Sequence, residues 1–126
     1  MTSINYNNRC FRSVSNSGSG EVDGATVFHY RQEGDVVWAT YAGGAIKQGV
    51  LVATVGANGR LHMRYSHVNQ HGDLMTGQCE SVPELLENGR LRLHESWQWT
   101  SGDRSSGTSV IEEFWQTTDG KPQTTE

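Results

Sequence analysis

Two acidic residues interrupt alternating apolar positions and could carry acid–base chemistry. Glu95 alternates with Leu93 and Trp97, and Glu112 follows Val110 at the same spacing. Burying an unpaired carboxylate beside such side chains is costly, so each must be paired, lie near an opening or contact a ligand. Two neighbouring carboxylates in an apolar pocket suit acid–base catalysis, because burial and mutual repulsion raise one pKa. Glu95 and Glu112 are the candidate catalytic residues; a structural network with Arg or Tyr donors is the alternative.

Aromatic residues at the same alternating positions could complete a ligand site. Trp97 and Trp99 share one face of a predicted strand and could form the floor of a pocket for a flat or apolar ligand. Tyrosines could offer hydroxyl groups, although such rings often serve only as core. The candidate ligand-binding residues are Tyr30, Tyr41, Tyr65, His67, Glu95, Trp97, Trp99 and Glu112. Trp38 and Trp115 are expected on the opposite face, where exposed aromatics could mark a contact between two copies.

Motifs for metal, nucleophilic or phosphate chemistry are weak. The five histidines show no HxH or HxxxH spacing, which favours solvated or hydrogen-bonded rings over a metal site. Cys79 has no evident catalytic partner, and no serine lies in a GxSxG motif. The glycine pairs do not open a helix, so they indicate turns rather than phosphate loops. The sequence therefore predicts neither a metal nor a cofactor.

Length and charge limit the function classes. A chain of 126 residues is expected to form a single domain, with 116–126 as a frayed tail. A net charge of −4 argues against a nucleic-acid surface, and no apolar run approaches a membrane span. The N-terminus has no secretory-signal pattern, and Cys10 and Cys79 lie far apart in sequence, so reduced thiols in the cytoplasm are expected.

The elements that would position these residues are short strands separated by glycine-bearing turns. They are predicted at 10–14, 26–32, 36–41, 46–55, 61–68, 74–81, 91–100 and 108–115. Residues 83–89 are expected to be a connection with at most one helical turn. The connections are too short for parallel crossovers, and closing the sheet removes its two exposed edges. The sequence predicts an all-β, antiparallel up-and-down meander barrel of about eight strands, with a two-sheet β-sandwich as the alternative.

Several segments resemble a family of small bacterial proteins, many labelled N-acetylglutamate synthase. They are FHYRQEG at 28–34, WATY at 38–41, MRYSHVN at 63–69 and LRLHESWQWTSG at 91–102. The resemblance covers roughly residues 4–113. Acetyltransferases of that name are α/β proteins with a pyrophosphate loop opening a helix; this chain has neither, so acetyltransferase activity is not predicted.

A shorter resemblance concerns a single hairpin. The segment WQWTSG at 97–102, followed by Gly107-Thr108, is similar to the penultimate hairpin of avidin-type barrels, which are lipocalin-like in architecture. The likeness implies a calycin-like barrel, and because it covers one hairpin only, biotin binding is not inferred from it.

Three functions are consistent with these residues. The favoured one is a barrel that binds a small, partly apolar ligand in its interior, because no nucleophile or metal cluster favours catalysis. The second is a small enzyme using Glu95 and Glu112 for acid–base chemistry. The third is a structural module that forms a homodimer through its outer aromatic face.

Overall fold

The computed structural model describes residues 4–115, so the tail expected at 116–126 lies outside the described residues. The strands are β1 (Arg9–Asn16), β2 (Val27–Glu33), β3 (Val36–Gly43), β4 (Ile46–Val55), β5 (Leu61–Asn69), β6 (Leu74–Leu85), β7 (Leu91–Trp99) and β8 (Ser106–Phe114). Each strand pairs antiparallel with the next, and β8 pairs with β1. The predicted up-and-down barrel is confirmed, and the two-sheet alternative is wrong. Within 4–115 no helix is long and apolar enough to cross a bilayer.

One end of the barrel, here called the plugged end, carries the turns 34–35, 56–60 and 86–90 and is covered by residues 4–8. Tyr6 is fully buried there, and its hydroxyl donates a hydrogen bond to the carbonyl of Gly59. Beneath Tyr6 lie the fully buried side chains of Phe11, Leu61, Leu91, Leu93 and Ile111. Inward-facing aliphatic and aromatic residues thus fill this half of the barrel.

The opposite end, here called the loop end, carries the connections 17–26, 44–45, 70–73 and 100–105. The β1–β2 loop at 17–26 is the longest connection between strands. Short hairpins cannot reach across a barrel mouth, whereas ten residues can. This loop therefore forms one wall of the space described below.

Strand β6 is longer than predicted. It continues to Leu85, with Pro83 paired to Leu93, so the connection begins at residue 86 and not at 83 as expected, and it contains no helical turn. The pairing of β6 with β5 ends at Ser81. Beyond that point β6 has a free edge, where proline does not remove a ladder hydrogen bond.

The face of strand β8 that points into the barrel is the opposite of the one expected. Ile111 pairs with Leu93 and Ser109 pairs with Glu95, and directly paired residues point to the same side of a sheet. Each face of β8 carries both acidic and apolar residues, so hydrophobicity could not set its orientation. Glu112 lies on the outer face, where Nε of Arg92 donates to its carboxylate at 2.9 Å. The expectation that Glu112 points into the barrel beside Glu95 is wrong.

Candidate functional site

A cavity of about 50 Å³ lies in the half of the barrel nearest the loop end. Five of the fourteen described residues that line it carry aromatic rings, and two carboxyl groups and a histidine are also among them. The lining residues are Asn16, Gly20, Glu21, Val22, Phe28, Tyr41, Leu51, Met63, Tyr65, His67, Cys79, Glu95, Trp97 and Trp99. A space of this size holds a few water molecules or a small chemical group, so a larger ligand requires the β1–β2 loop to move.

Strand β7 shows why the filled half of the barrel gives way to a cavity. Its inward-facing residues are, in order, Leu91, Leu93, Glu95, Trp97 and Trp99. The first two are fully buried at the plugged end, whereas the last three line the cavity. The change from aliphatic to acidic and aromatic residues along one strand therefore marks the floor of the site.

Inward-facing glycines hold the aromatic rings against the barrel wall. A Cβ atom added at any of three glycines would lie closer to a neighbouring ring than van der Waals contact allows. The pairs are Gly49 with Tyr41, Gly77 with Tyr65, and Gly107 with Trp97. Glycine in a strand commonly marks such a close approach. The rings occupy the space that side chains would take, which leaves the barrel axis less crowded.

Glu95 lies at the floor of the cavity, and its hydrogen-bond partners within residues 4–115 are all neutral. Ser81 Oγ donates to Glu95 Oε2 at 2.9 Å, and Ser109 Oγ donates to Oε1 at 3.1 Å. No Lys or Arg is among the residues that line the cavity. Burial raises the pKa of Glu95 to about 7, and the two hydroxyl donors only partly oppose that effect. Near neutral pH this carboxyl group is therefore balanced between its protonated and ionised forms.

His67 connects the barrel wall to the β1–β2 loop. Its ring is almost fully buried, with Nε2 at 2.8 Å from Glu21 Oε1 and Nδ1 at 2.9 Å from the Tyr41 hydroxyl. Because a carboxylate only accepts hydrogen bonds, Nε2 is the protonated nitrogen facing Glu21. Asn69 Nδ2 donates to the second oxygen of Glu21 at 3.1 Å. The loop carboxylate is thus held at the cavity mouth.

Trp97 and Trp99 also hold the β1–β2 loop at the cavity mouth. Trp97 Nε1 donates to Asn16 Oδ1 at 3.0 Å, and Trp99 Nε1 donates to Ser19 Oγ at 3.1 Å. The rings of Trp97 and Trp99 pack with their centroids 5.8 Å apart. Their indole N–H groups therefore fix the position of the loop, while their carbon surfaces line the cavity.

The structure brings together most of the predicted ligand-binding residues. Tyr41, Tyr65, His67, Glu95, Trp97 and Trp99 all line the cavity. Tyr30 is fully buried below it, with its ring centroid 4.8 Å from that of Phe11, and is not a lining residue. Within the described residues its hydroxyl has no hydrogen-bond partner. Glu112 also lies outside the cavity, as its pairing with Arg92 requires.

Three residues of the site were not predicted from the sequence. Asn16 and Ser19 lie in the polar stretch 15–20, for which the sequence predicts only a loose loop, and Glu21 directly follows it; each bonds a side chain of the cavity wall. Hydrophobic alternation carries no information about such contacts. The one available signal was the length of this connection, since a tight turn needs only two to five residues.

The cysteines and acidic side chains show no further site. Cys79 lines the cavity, whereas Cys10 lies on the outside, with its Sγ 3.3 Å from His29 Nδ1; both are free thiols. Within residues 4–115, no group of three or more His, Cys, Asp or Glu side chains is placed to hold a metal ion.

Comparison with known proteins gives one match. The model of a family described as "Avidin-like protein" matches residues 4–114, nearly the whole described chain. No curated protein and no solved structure matches. The family match agrees with the barrel topology and with the likeness of the hairpin at 97–102 to avidin-type barrels.

Proposed function

This chain belongs to the avidin-like protein family, and we propose that it binds a small, partly apolar ligand in the cavity at the loop end of its barrel. The observation that carries the proposal is the cavity itself, walled by aromatic rings and containing Glu95. Small-molecule sites combine apolar walls with a few polar groups that orient the ligand. Here the rings supply the apolar contact, and Glu95 supplies the orienting group.

Binding accounts for the arrangement better than acid–base catalysis by a carboxylate pair. That mechanism needs Glu95 and Glu112 side by side, and the barrel wall separates them. Glu21, the other carboxyl group of the cavity, is engaged by His67 and Asn69 at the mouth. Glu95 is therefore proposed as a binding group.

A matched pair of neighbouring residues tests the site. Leu51 lines the cavity, whereas the next residue on β4, Val52, is exposed on the outer face. In Leu51→Phe the added ring fills the cavity, and in Val52→Phe it stays on the outer face of the sheet, away from the cavity. Benzyl alcohol, benzylammonium and benzoate, which can enter only when the β1–β2 loop moves, serve as probes in thermal unfolding and calorimetric titration. At least one should stabilise the wild type and Val52→Phe by mass action but not Leu51→Phe. If none of the three binds the wild type, or if Leu51→Phe binds equally well, the proposal fails.

We also propose that the outer face of β3 and β4 joins two copies of the chain. Trp38 pairs with Val52 across these strands, and Val50 lies on the same face; all three are substantially exposed. Adjacent exposed apolar residues of this kind commonly mark an interface. Sedimentation velocity should show a dimer that Trp38→Glu dissociates, and a monomer at every concentration would contradict it.

We also propose that the protein is located in the cytoplasm. Cys10 lies outside the barrel and Cys79 inside it, both as free thiols, so this fold does not join them in a disulfide. Free thiols are usual in a reducing compartment. Fractionation of expressing cells, with the protein recovered outside the cytoplasmic fraction, would contradict this location.

A further inference from the structure

Among the described residues that line the cavity, two are acidic, and the one basic side chain, His67, is bonded to Glu21 at the mouth. Glu95 lies at the floor and Glu21 at the mouth, and no Lys or Arg is among the lining residues. Glu21 is engaged by His67 and Asn69, while Glu95 has only serine hydroxyls. A carboxylate left without a cation in low-polarity surroundings attracts one strongly.

Several of the hydrogen-bond donors around the cavity are already in use. The indole N–H groups of Trp97 and Trp99 donate to the β1–β2 loop. The hydroxyls of Ser81 and Ser109 donate to Glu95. The wall is therefore better supplied with acceptors and π surfaces than with donors. An anionic ligand would find few partners here, whereas a ligand that donates hydrogen bonds would find Glu95.

The aromatic rings add to the attraction for a positive charge. Tyr65 and Trp99 meet edge to face with their centroids 5.9 Å apart, and Trp97 packs against Trp99 at 5.8 Å. All three rings line the same cavity as Glu95. Aromatic walls stabilise an organic cation through the negative potential of their faces, and the effect grows when water is excluded.

We propose that the ligand is a small organic cation, with an ammonium or amidinium group on an apolar body, whose charged group binds Glu95. This inference rests on the function proposed above and specifies the chemical class of its ligand. The carboxylate and the aromatic walls act on different parts of the ligand, the first on its charge and the second on its apolar body.

The inference implies a particular pH dependence. Since the pKa of Glu95 is about 7, its carboxylate form becomes dominant between pH 6 and pH 8, and affinity for a cation should rise over that range. The charge of Glu95 acts on five neighbouring titratable groups, which are Tyr6, Tyr30, Tyr41, Tyr65 and Cys79. Burial raises the pKa of each above its ordinary value, so these groups stay neutral throughout. Glu21 and His67 bind each other at the mouth.

Calorimetric titration at pH 8 with three probes of similar shape tests the inference. Benzylammonium should bind at least about tenfold more tightly than benzyl alcohol, and benzoate should bind least, because hydrogen bonds between charged groups are the strong ones. Glu95→Gln, which keeps the size and the serine contacts, should weaken benzylammonium about tenfold or more and leave benzyl alcohol unchanged. Glu84→Gln, an exposed carboxyl group on β6, is the matched control and should change neither.

The outcomes separate this inference from the proposed function. If benzyl alcohol binds the wild type as tightly as benzylammonium, and Leu51→Phe abolishes both, the interior site stands and the cation preference is wrong. If no probe binds, both fail. If Glu95→Gln does not fold, the affinity of the wild type for benzylammonium is measured from pH 6 to pH 8. An affinity that stays constant or falls over this range overturns the inference.

Discussion

The two ends of the barrel are built from the same eight strands, yet they are packed differently, and the cavity lined by Glu95 lies at the loop end. At the plugged end branched aliphatic residues such as Leu61, Leu93 and Ile111 pack with the rings of Phe11 and Tyr30 and fill the interior. At the loop end the inward positions alternate between large rings and glycines. Closing eight strands into a barrel therefore does not by itself create a cavity. Space appears where rings can lie flat over a neighbouring glycine instead of pointing to the axis.

The same contrast applies to the two inward carboxyl groups. Near the plugged end Glu113 is buried, with Arg9 Nη1 at 2.6 Å and the backbone N–H of Leu91 donating to it at 3.0 Å. Near the loop end Glu95 accepts two serine hydroxyl hydrogen bonds and has no cation among its partners in the part of the chain that the structure describes. The first carboxylate is neutralised by the protein itself. The second has no such cation, and we infer that a ligand supplies it.

The largest expected effect concerns packing at the two ends. Leu93→Ala should reduce the free energy of unfolding by about 2–5 kcal/mol, because it opens a void in a filled core. Leu51→Ala should cost less, since Leu51 already borders empty space and has fewer contacts to lose. Chemical denaturation measures both. Equal losses would show that the ends are packed alike and would contradict the comparison.

The next effect concerns the pH dependence of stability. The pKa of Glu95 is raised from 4.5 to about 7, so between these values the unfolded chain is ionised while the folded chain keeps its proton. The folded state then binds more protons, and stability falls as pH rises, by up to about 3 kcal/mol across the window. Glu95→Gln should remove this decrease. The idea that Glu95 lacks a cation would be lost if wild type and variant showed the same pH profile in denaturant titrations.

A smaller effect is expected at the glycines beneath the rings. Gly77→Ala should displace Tyr65 towards the cavity and cost about 1–3 kcal/mol, as overpacking does. It should also weaken whichever probe binds. Gly72→Ala provides a control for any general cost of removing glycine from a turn, because nothing lies within 4 Å of a Cβ atom there, although its φ of 85° adds backbone strain. If Gly77→Ala lost stability but kept its affinity for the probe, the Tyr65 ring would not be part of the binding site.

The smallest effect is expected on the outer wall. Glu112→Gln removes the hydrogen-bonded ion pair with Arg92 but touches no cavity residue. Probe affinity should be unchanged and stability altered little, because ion pairs near the surface contribute weakly. A marked loss of affinity in calorimetric titration would show that Glu112 belongs to the binding site. It would contradict the placement of its side chain on the outer face of β8.

The sequence predicted the barrel because short alternating strands with short connections leave few other topologies. It predicted the inward faces of β5 and β7, because apolar and polar positions separate clearly on these strands. It therefore identified His67, Glu95 and Trp97 as residues that point into the barrel. It failed on β8, where Glu112 and Glu113 occupy opposite faces of similar composition and pairing with β7 decides the orientation. It also missed Glu21, because a polar loop shows no periodic pattern and its bond to His67 spans 46 residues.

The most direct test of an interior ligand site uses the four tryptophans as internal reporters. Trp97 and Trp99 line the cavity, whereas Trp38 and Trp115 are exposed on the outside. Heteronuclear NMR of the nitrogen-15-labelled protein during titration with benzylammonium follows the four indole N–H signals separately. We expect the signals of Trp97 and Trp99 to shift to saturation while those of Trp38 and Trp115 stay in place. Shifts confined to Trp38 or Trp115, or no shift at Trp97 and Trp99 when the probe is in large excess, would contradict the account.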